Sequence, residues 1–186
     1  MVLGLPVGVL VVLVAVTITA VTDIWKYKVY NALTIPLLIS GVIYHGYTGG
    51  GDGLVASILG AGFGFGSLLA FYILGGMGAG DVKLLAAIGA WLGLQQTYYV
   101  FLATCLAAGG YSLFLIVSHG RLSETWLNLQ ILWHRINAFG RYMGADDRVE
   151  AVVNHADRAG RLIPFAAMVA IGVVAFLAWK TLKALP

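Results

Sequence analysis

The chain has 186 residues, 60% of them hydrophobic and 10% charged, with a formal net charge of +3 at pH 7. A water-soluble domain carries roughly 25% charged and about half apolar residues, so composition excludes a soluble globular protein and makes the lipid bilayer the expected surroundings. The small net charge gives no footprint for nucleic acid. The single cysteine, Cys105, rules out an internal disulfide or a paired-cysteine zinc site.

About 20 apolar residues are needed to cross the hydrocarbon core. Runs at 3–22, 32–47, 54–74, 82–94, 98–117 and 162–182 predict six transmembrane helices. Their apolar character is continuous rather than alternating, which predicts helices and not a barrel. The first run has no basic segment ahead of it and exceeds the roughly 7–15 apolar residues of a signal peptide, so a retained helix is expected. The third run carries Gly60, Gly62, Gly64 and Gly66, two overlapping small-xxx-small patterns that predict close helix packing rather than a phosphate-binding loop. The fourth is short, with a tight turn expected beside Gln95 and Gln96.

Between the last two runs, residues 122–143 place Leu122, Trp126, Leu129, Trp133, Ile136 and Phe139 at three- and four-residue steps, with Glu124, Asn128 and Arg135 on other faces. This predicts an amphipathic helix, either lying in the cytoplasmic interface or packed on the other spans. Residues 144–160 are polar and read as a solvated connection. The expected fold class is thus all-α: a polytopic membrane protein of about six transmembrane helices plus a cytoplasmic amphipathic helix. It forms one membrane-embedded domain, 1–186, with 119–161 an insertion.

The basic residues set the orientation. Lys26, Lys28, Lys83, Arg121, Arg135, Arg141, Arg148, Arg158 and Arg161 fall on one side of a six-span arrangement, and only Lys180 and Lys183 on the other. Positively charged loops stay in the cytoplasm, so the first group faces inward and both termini face out.

Charged groups at the edge of a span are costly and therefore point to function. Two carboxylates stand at the inner ends of runs: Asp23, closing the first, and Asp81, opening the fourth. Asp52 lies in a glycine loop on the opposite face, and neither it nor His45 is given a role. His119, His134 and His155 lack metal-ligand spacing, so no metal and no cofactor is expected. Asp81 follows Gly75-Gly76-Met77-Gly78-Ala79-Gly80, glycines that allow sharp turns and close backbone approach. Taken alone, the commoner explanation of such an acid is a helix N-cap.

Residues 78–93, GAGDVKLLAAIGAWLG, closely resemble the GxGD motif of the prepilin peptidases. Asp23 followed by Lys28-Val29-Tyr30-Asn31-Ala32-Leu33-Thr34 is similar to that family's first-aspartate motif, an acid ahead of a K-x-P-N-x-L-T-like segment. Ile163-Pro164-Phe165 resembles its closing motif. Tyr30 stands where proline is usual, and Ala166-Ala167 where Gly-Pro is usual. Neither difference alters an aspartate. The resemblance implies an aspartic endopeptidase with Asp23 and Asp81 catalytic, supported by Gly78, Gly80, Lys83, Lys28 and Asn31. The implied partners are a prepilin or pseudopilin helix and the bilayer of the bacterial inner membrane, with cleavage after a glycine on the cytoplasmic side. Bifunctional members add a cytoplasmic part with two CxxC pairs for methyl transfer. A start directly in the first span matches instead the short, peptidase-only type found with Tad/Flp pili.

Two neighbouring carboxylates do not readily both ionise, so one can activate water as base while the other gives a proton to the departing amine. Asp81 opens a helix and Asp23 closes one. The helix dipoles then assign the charge to Asp81 and the proton to Asp23. Lys83 is placed to orient Asp81, to hydrogen-bond substrate, or to snorkel to headgroups, and Asn31 to cap the second helix. Competing classes are a proton-coupled transporter using intramembrane acids and an inactive structural subunit of a secretion machine.

Overall fold

Twenty-residue apolar stretches must hydrogen-bond their own backbone in lipid, which selects helix. The structure, a computed structural model, describes residues 7–26, 29–73, 77–118, 130, 133 and 165–183. Those residues form an all-helical chain with four helices long and apolar enough to cross a membrane: α1 (Val7–Lys26), α2 (Asn31–Ile73), α3 (Ala79–Ser118) and α4 (Phe165–Lys183). The expected amphipathic helix and polar connection lie outside the described residues, apart from Gln130 and Trp133.

The two long helices are each broken once by a glycine. Gly50 takes φ 58° and ψ −140° inside α2, and Gly93 takes φ 75° and ψ 173° inside α3. Both pairs of angles are open only to glycine at low cost. That is why the second break falls at Gly93 rather than beside Gln95 and Gln96.

At each break the chain doubles back. A side chain on Gly53 would meet the backbone of His45, eight residues earlier, whereas those residues in a straight helix stand about 12 Å apart. Likewise, a side chain on Gly64 would meet the Leu85 carbonyl, and its neighbour Phe63 packs edge-on against Phe101 with ring centres 5.9 Å apart. In a straight α3, Leu85 and Phe101 would lie about 24 Å apart.

A broken helix leaves carbonyls without their usual donors, and in lipid these need partners. α2 supplies them. The Ser57 hydroxyl donates to the Ala90 carbonyl at 2.7 Å, and the His45 Nε2–H donates to the Trp91 carbonyl at 2.9 Å. His45, which the sequence left without a role, therefore closes the end of a half-helix. Trp91 is pinned further by its indole N–H, which donates to the Leu37 carbonyl at 2.8 Å, and by stacking on Tyr44 at 5.1 Å. Gly41 makes room for that indole: a Cβ there would lie 2.8 Å from Cδ1.

Only one of the two glycine stripes on α2 is used inside the protein. Gly60 and Gly64 face Gly89 and Leu85 on α3, so close that a Cβ on either would strike backbone, whereas Gly62 and Gly66 have nothing within 4 Å. Small residues thus let α2 and α3 approach backbone to backbone, the usual basis of helix association in lipid. α4 packs antiparallel to the second half of α3, with Gly172 against Thr104 and Phe176 stacked on Tyr99 at 6.1 Å. A core of Val12, Val16, Leu37, Leu84, Ile88 and Val169 joins all four helices. This packing brings the end of α1, the start of α2, the start of α3 and the start of α4 to one end of the bundle.

Candidate active site

Asp23 is in the last turn of α1 and is only 6% exposed. A buried carboxylate needs donors, and one comes from the start of α4: the Ala166 N–H donates to Asp23 Oδ2 at 2.9 Å. The first N–H groups of any helix lack partners within it. Here one of them is spent on an acid 143 positions away in the chain. Ala166 directly follows the Ile163-Pro164-Phe165 motif, of which Ile163 and Pro164 lie outside the described residues. Sequence reasoning passed over it, because a backbone donor carries no mark in the side chains.

Asp81 is the third residue of α3 and is half-buried. Its own N–H donates to the Gly78 carbonyl at 3.2 Å, and its carboxylate is hydrogen-bonded by the Gly78 backbone amide. An acid at the third helical position reaching back to the residue before the helix is one half of a capping box. The N-cap explanation of Asp81 is thus corrected: Gly78 holds the cap position, and Asp81 bonds back to it from inside the first turn. That bond does not exhaust what Asp81 does, because Asp81 also lies within electrostatic range of Asp23. Residues 58 apart in sequence are thus brought together by the packing of α1 on α3.

Four of the other residues singled out from sequence lie at the same end of the bundle. Gly80 lets the first turn of α3 sit on the segment after α1: a Cβ there would lie 2.8 Å from Val29 Cβ and 3.0 Å from the Val29 carbonyl oxygen. Lys83 Nζ donates to Asn31 Oδ1 at 3.0 Å, tying the start of α3 to the start of α2. Asn31 therefore does not use its side chain as a cap. Tyr30 provides the first acceptor of α2 through its carbonyl, which takes the N–H groups of Leu33 and Thr34 at 3.0 and 3.2 Å. Gly78 has its Cα face toward the Asp81 carboxylate, where a Cβ would be in ordinary contact at 3.5 Å from Oδ2. Lys28 lies outside the described residues.

One expectation loses its basis. The assignment of charge to Asp81 and proton to Asp23 used the C-terminus of α1 alone. The fold sets Asp23 against the N-terminus of α4 as well, so each carboxylate lies at a helix start and the dipoles no longer separate them. Among the described residues no three His, Cys, Asp or Glu side chains gather into a metal-binding group.

The sequence model of the type IV leader peptidase family matches residues 10–113, which run from α1 into the second half of α3 and include both aspartates. The chain belongs to the type IV leader peptidase family. Curated relatives agree with this. The chain is 38% identical over 116 residues to a prepilin leader peptidase/N-methyltransferase of Aeromonas salmonicida, covering 58% of this chain and 39% of the relative. It is 36% identical over 98 residues to the protein of the same name from Neisseria gonorrhoeae, covering 49% and 34%. For the Escherichia coli protein the values are 35% over 101 residues, covering 50% and 44%. The matched stretch thus spans less than half of each of these relatives. No solved structure matches the chain. The family match ends before α4 begins, so the Ala166 donor to Asp23 lies outside the matched stretch.

Proposed function

We propose that this protein is a membrane aspartic endopeptidase that removes the leader from type IV prepilin-like precursors, with Asp23 and Asp81 as its catalytic pair. The observation that carries the reading is the meeting of two acids from separate helices, at one end of the bundle and within range of each other's charge. Two carboxylates so placed share a proton. The ionised one takes a proton from water as that water attacks the scissile carbonyl, and the protonated one gives its proton to the departing amine. The Ala166 N–H fixes one oxygen of Asp23 as an acceptor, and the Gly78 amide does the same for Asp81, so both side chains are oriented before substrate arrives. The glycines ahead of Asp81 leave backbone open for an extended substrate segment to approach.

The same reading includes topology. A straight helix of 43 residues is about 65 Å long, twice the roughly 30 Å hydrocarbon core. With α2 and α3 folded back at Gly50 and Gly93, the chain would cross six times. Both breaks then lie on the outer side, beside the exposed aromatics Tyr47, Tyr98 and Trp179, and the carboxylates lie at the inner side beside Trp25 and Tyr30. Aromatic side chains favour both membrane interfaces. The inner, basic side faces the cytoplasm of a bacterial inner membrane, and the substrate is a Flp/Tad-type prepilin or a secretion pseudopilin entering as a helix with its leader toward the pair.

The test is cleavage of a synthetic prepilin by the purified full chain in detergent. Asp23→Asn and Asp81→Asn should each lose more than about a thousandfold in kcat, as expected when one member of an acid–base pair is removed, while remaining folded. Retention of a tenth or more of the wild-type rate by either variant rules out the pair.

A further inference from the structure

Hydroxyls inside helices ordinarily bond the carbonyl one turn back. Thr17, Thr19, Thr22, Thr48, Thr97, Thr104 and Thr181 all do so here, at 2.6–2.9 Å. Thr34 does not. It is 1% exposed, and its Oγ1 has no partner among the described residues. The local reason is visible: the carbonyl one turn back, that of Tyr30, already accepts the N–H groups of Leu33 and Thr34. A buried hydroxyl without a partner is destabilising, and valine would fill the same space without that cost.

The position of Thr34 gives the hydroxyl a use. Asn31, Thr34, Leu37 and Gly41 share one face of α2. The others on that face bear on α3, through Lys83, the Trp91 indole N–H and the Trp91 ring. Val29 lies against Gly80, and Gly41 against Ala90 and Trp91, so the two helices run parallel here and Thr34 stands opposite the first turns of α3. Helical side chains lean toward their own N-terminus, which here is the direction of the Gly80–Asp81 end of α3.

The geometry points to Thr34 as a positioning residue for Asp81, its hydroxyl serving the Gly80–Asp81 turn through one enclosed water. An enclosed water needs two or more polar partners, and this turn, with the Asp81 carboxylate, offers them. The inference rests on the peptidase reading above and names a group that reading does not use.

Thr34→Val exchanges the hydroxyl for a methyl of the same shape, and Thr34→Ser keeps the hydroxyl and drops the methyl. Both are measured on the purified full chain with a synthetic prepilin, alongside thermal unfolding. For Thr34→Val we expect kcat to fall about tenfold with KM unchanged, the rate equivalent of one lost hydrogen bond, while the unfolding midpoint holds or rises. Thr34→Ser should return kcat to within about twofold of wild type. Wild-type kcat in Thr34→Val overturns the inference. So does an equal loss in Thr34→Ser, since the methyl would then be the group that matters. If Thr34→Val does not accumulate folded, Thr34→Ala removes the same hydroxyl and is judged by the same kcat criterion. Failure of the underlying reading has a different appearance, namely no cleavage by the unaltered chain or undiminished cleavage by Asp81→Asn, and it sinks both.

Discussion

Gly80→Ala tests whether the approach of α3 to the segment after α1 sets the geometry of the carboxylate pair. The added Cβ would stand 2.8 Å from Val29 Cβ and 3.0 Å from the Val29 carbonyl oxygen, where ordinary contacts are 3.4–4 Å. One of the two neighbours is backbone, so a rotamer change does not relieve the overlap, and the first turn of α3 must back away by roughly 1 Å. Close-packed interiors pass on such shifts rather than absorb them. Asp81 is the next residue, and a displacement of about 1 Å at a reacting group costs roughly a hundredfold in rate, equivalent to about 2.7 kcal/mol of transition-state stabilisation. Overpacking costs about 1–3 kcal/mol in stability, and the better helix propensity of alanine returns up to about 1 kcal/mol, so the variant should remain folded. Steady-state cleavage of a synthetic prepilin, with unfolding followed by tryptophan fluorescence, separates the two effects. Gly66→Ala, which adds a methyl where nothing lies within 4 Å, is the control and should cleave at the wild-type rate. Wild-type kcat in Gly80→Ala would refute the reasoning, as would an equal loss in the control.

The Lys83–Asn31 hydrogen bond should act as a simple tie between α3 and α2. Lys83→Met and Asn31→Ala are each expected to cost about 0.5–1.5 kcal/mol, and the double variant no more than the larger single. Full additivity of the two losses in thermal melts would show that the bond does not hold the helices together. For the six-crossing topology, a Cys105→Ala background carrying Asp52→Cys or Gln95→Cys should react with an impermeant thiol reagent from the periplasmic side in both cases. Asp146→Cys in the same background should react only from the cytoplasmic side. Labelling of positions 52 and 95 from opposite sides would mean that α2 and α3 do not both fold back across the membrane.

Much of this protein is legible from the local chemistry of its chain. A continuous apolar run in lipid has no stable form except helix, so the helical class follows from composition and periodicity. Asp81 announces itself because its glycines are contiguous with it, and Asp23 because an acid at the end of an apolar run is rare. A glycine stripe is likewise visible as a stripe. Which stripe packs inward is a different matter. Gly60 and Gly64 meet Gly89 and Leu85, while Gly62 and Gly66, with the same spacing on the same helix, do not, and only the crossing of α2 on α3 decides between them.

The remaining features depend on groups that sequence does not display. The Ala166 N–H reaches Asp23 across 143 positions, and every residue except proline carries the same N–H, so nothing in the side chains singles it out. His45 and Ser57 take up the Trp91 and Ala90 carbonyls because Gly93 turns where it does and α2 happens to lie alongside. The proton assignment drawn from the dipoles of α1 and α3 misses the start of α4 for the same reason. Helix formation depends on neighbours in the chain, so sequence fixes it locally. The electrostatics of a buried carboxylate depend on whichever helix ends the packing brings to it, and those are set only when four helices close on one core.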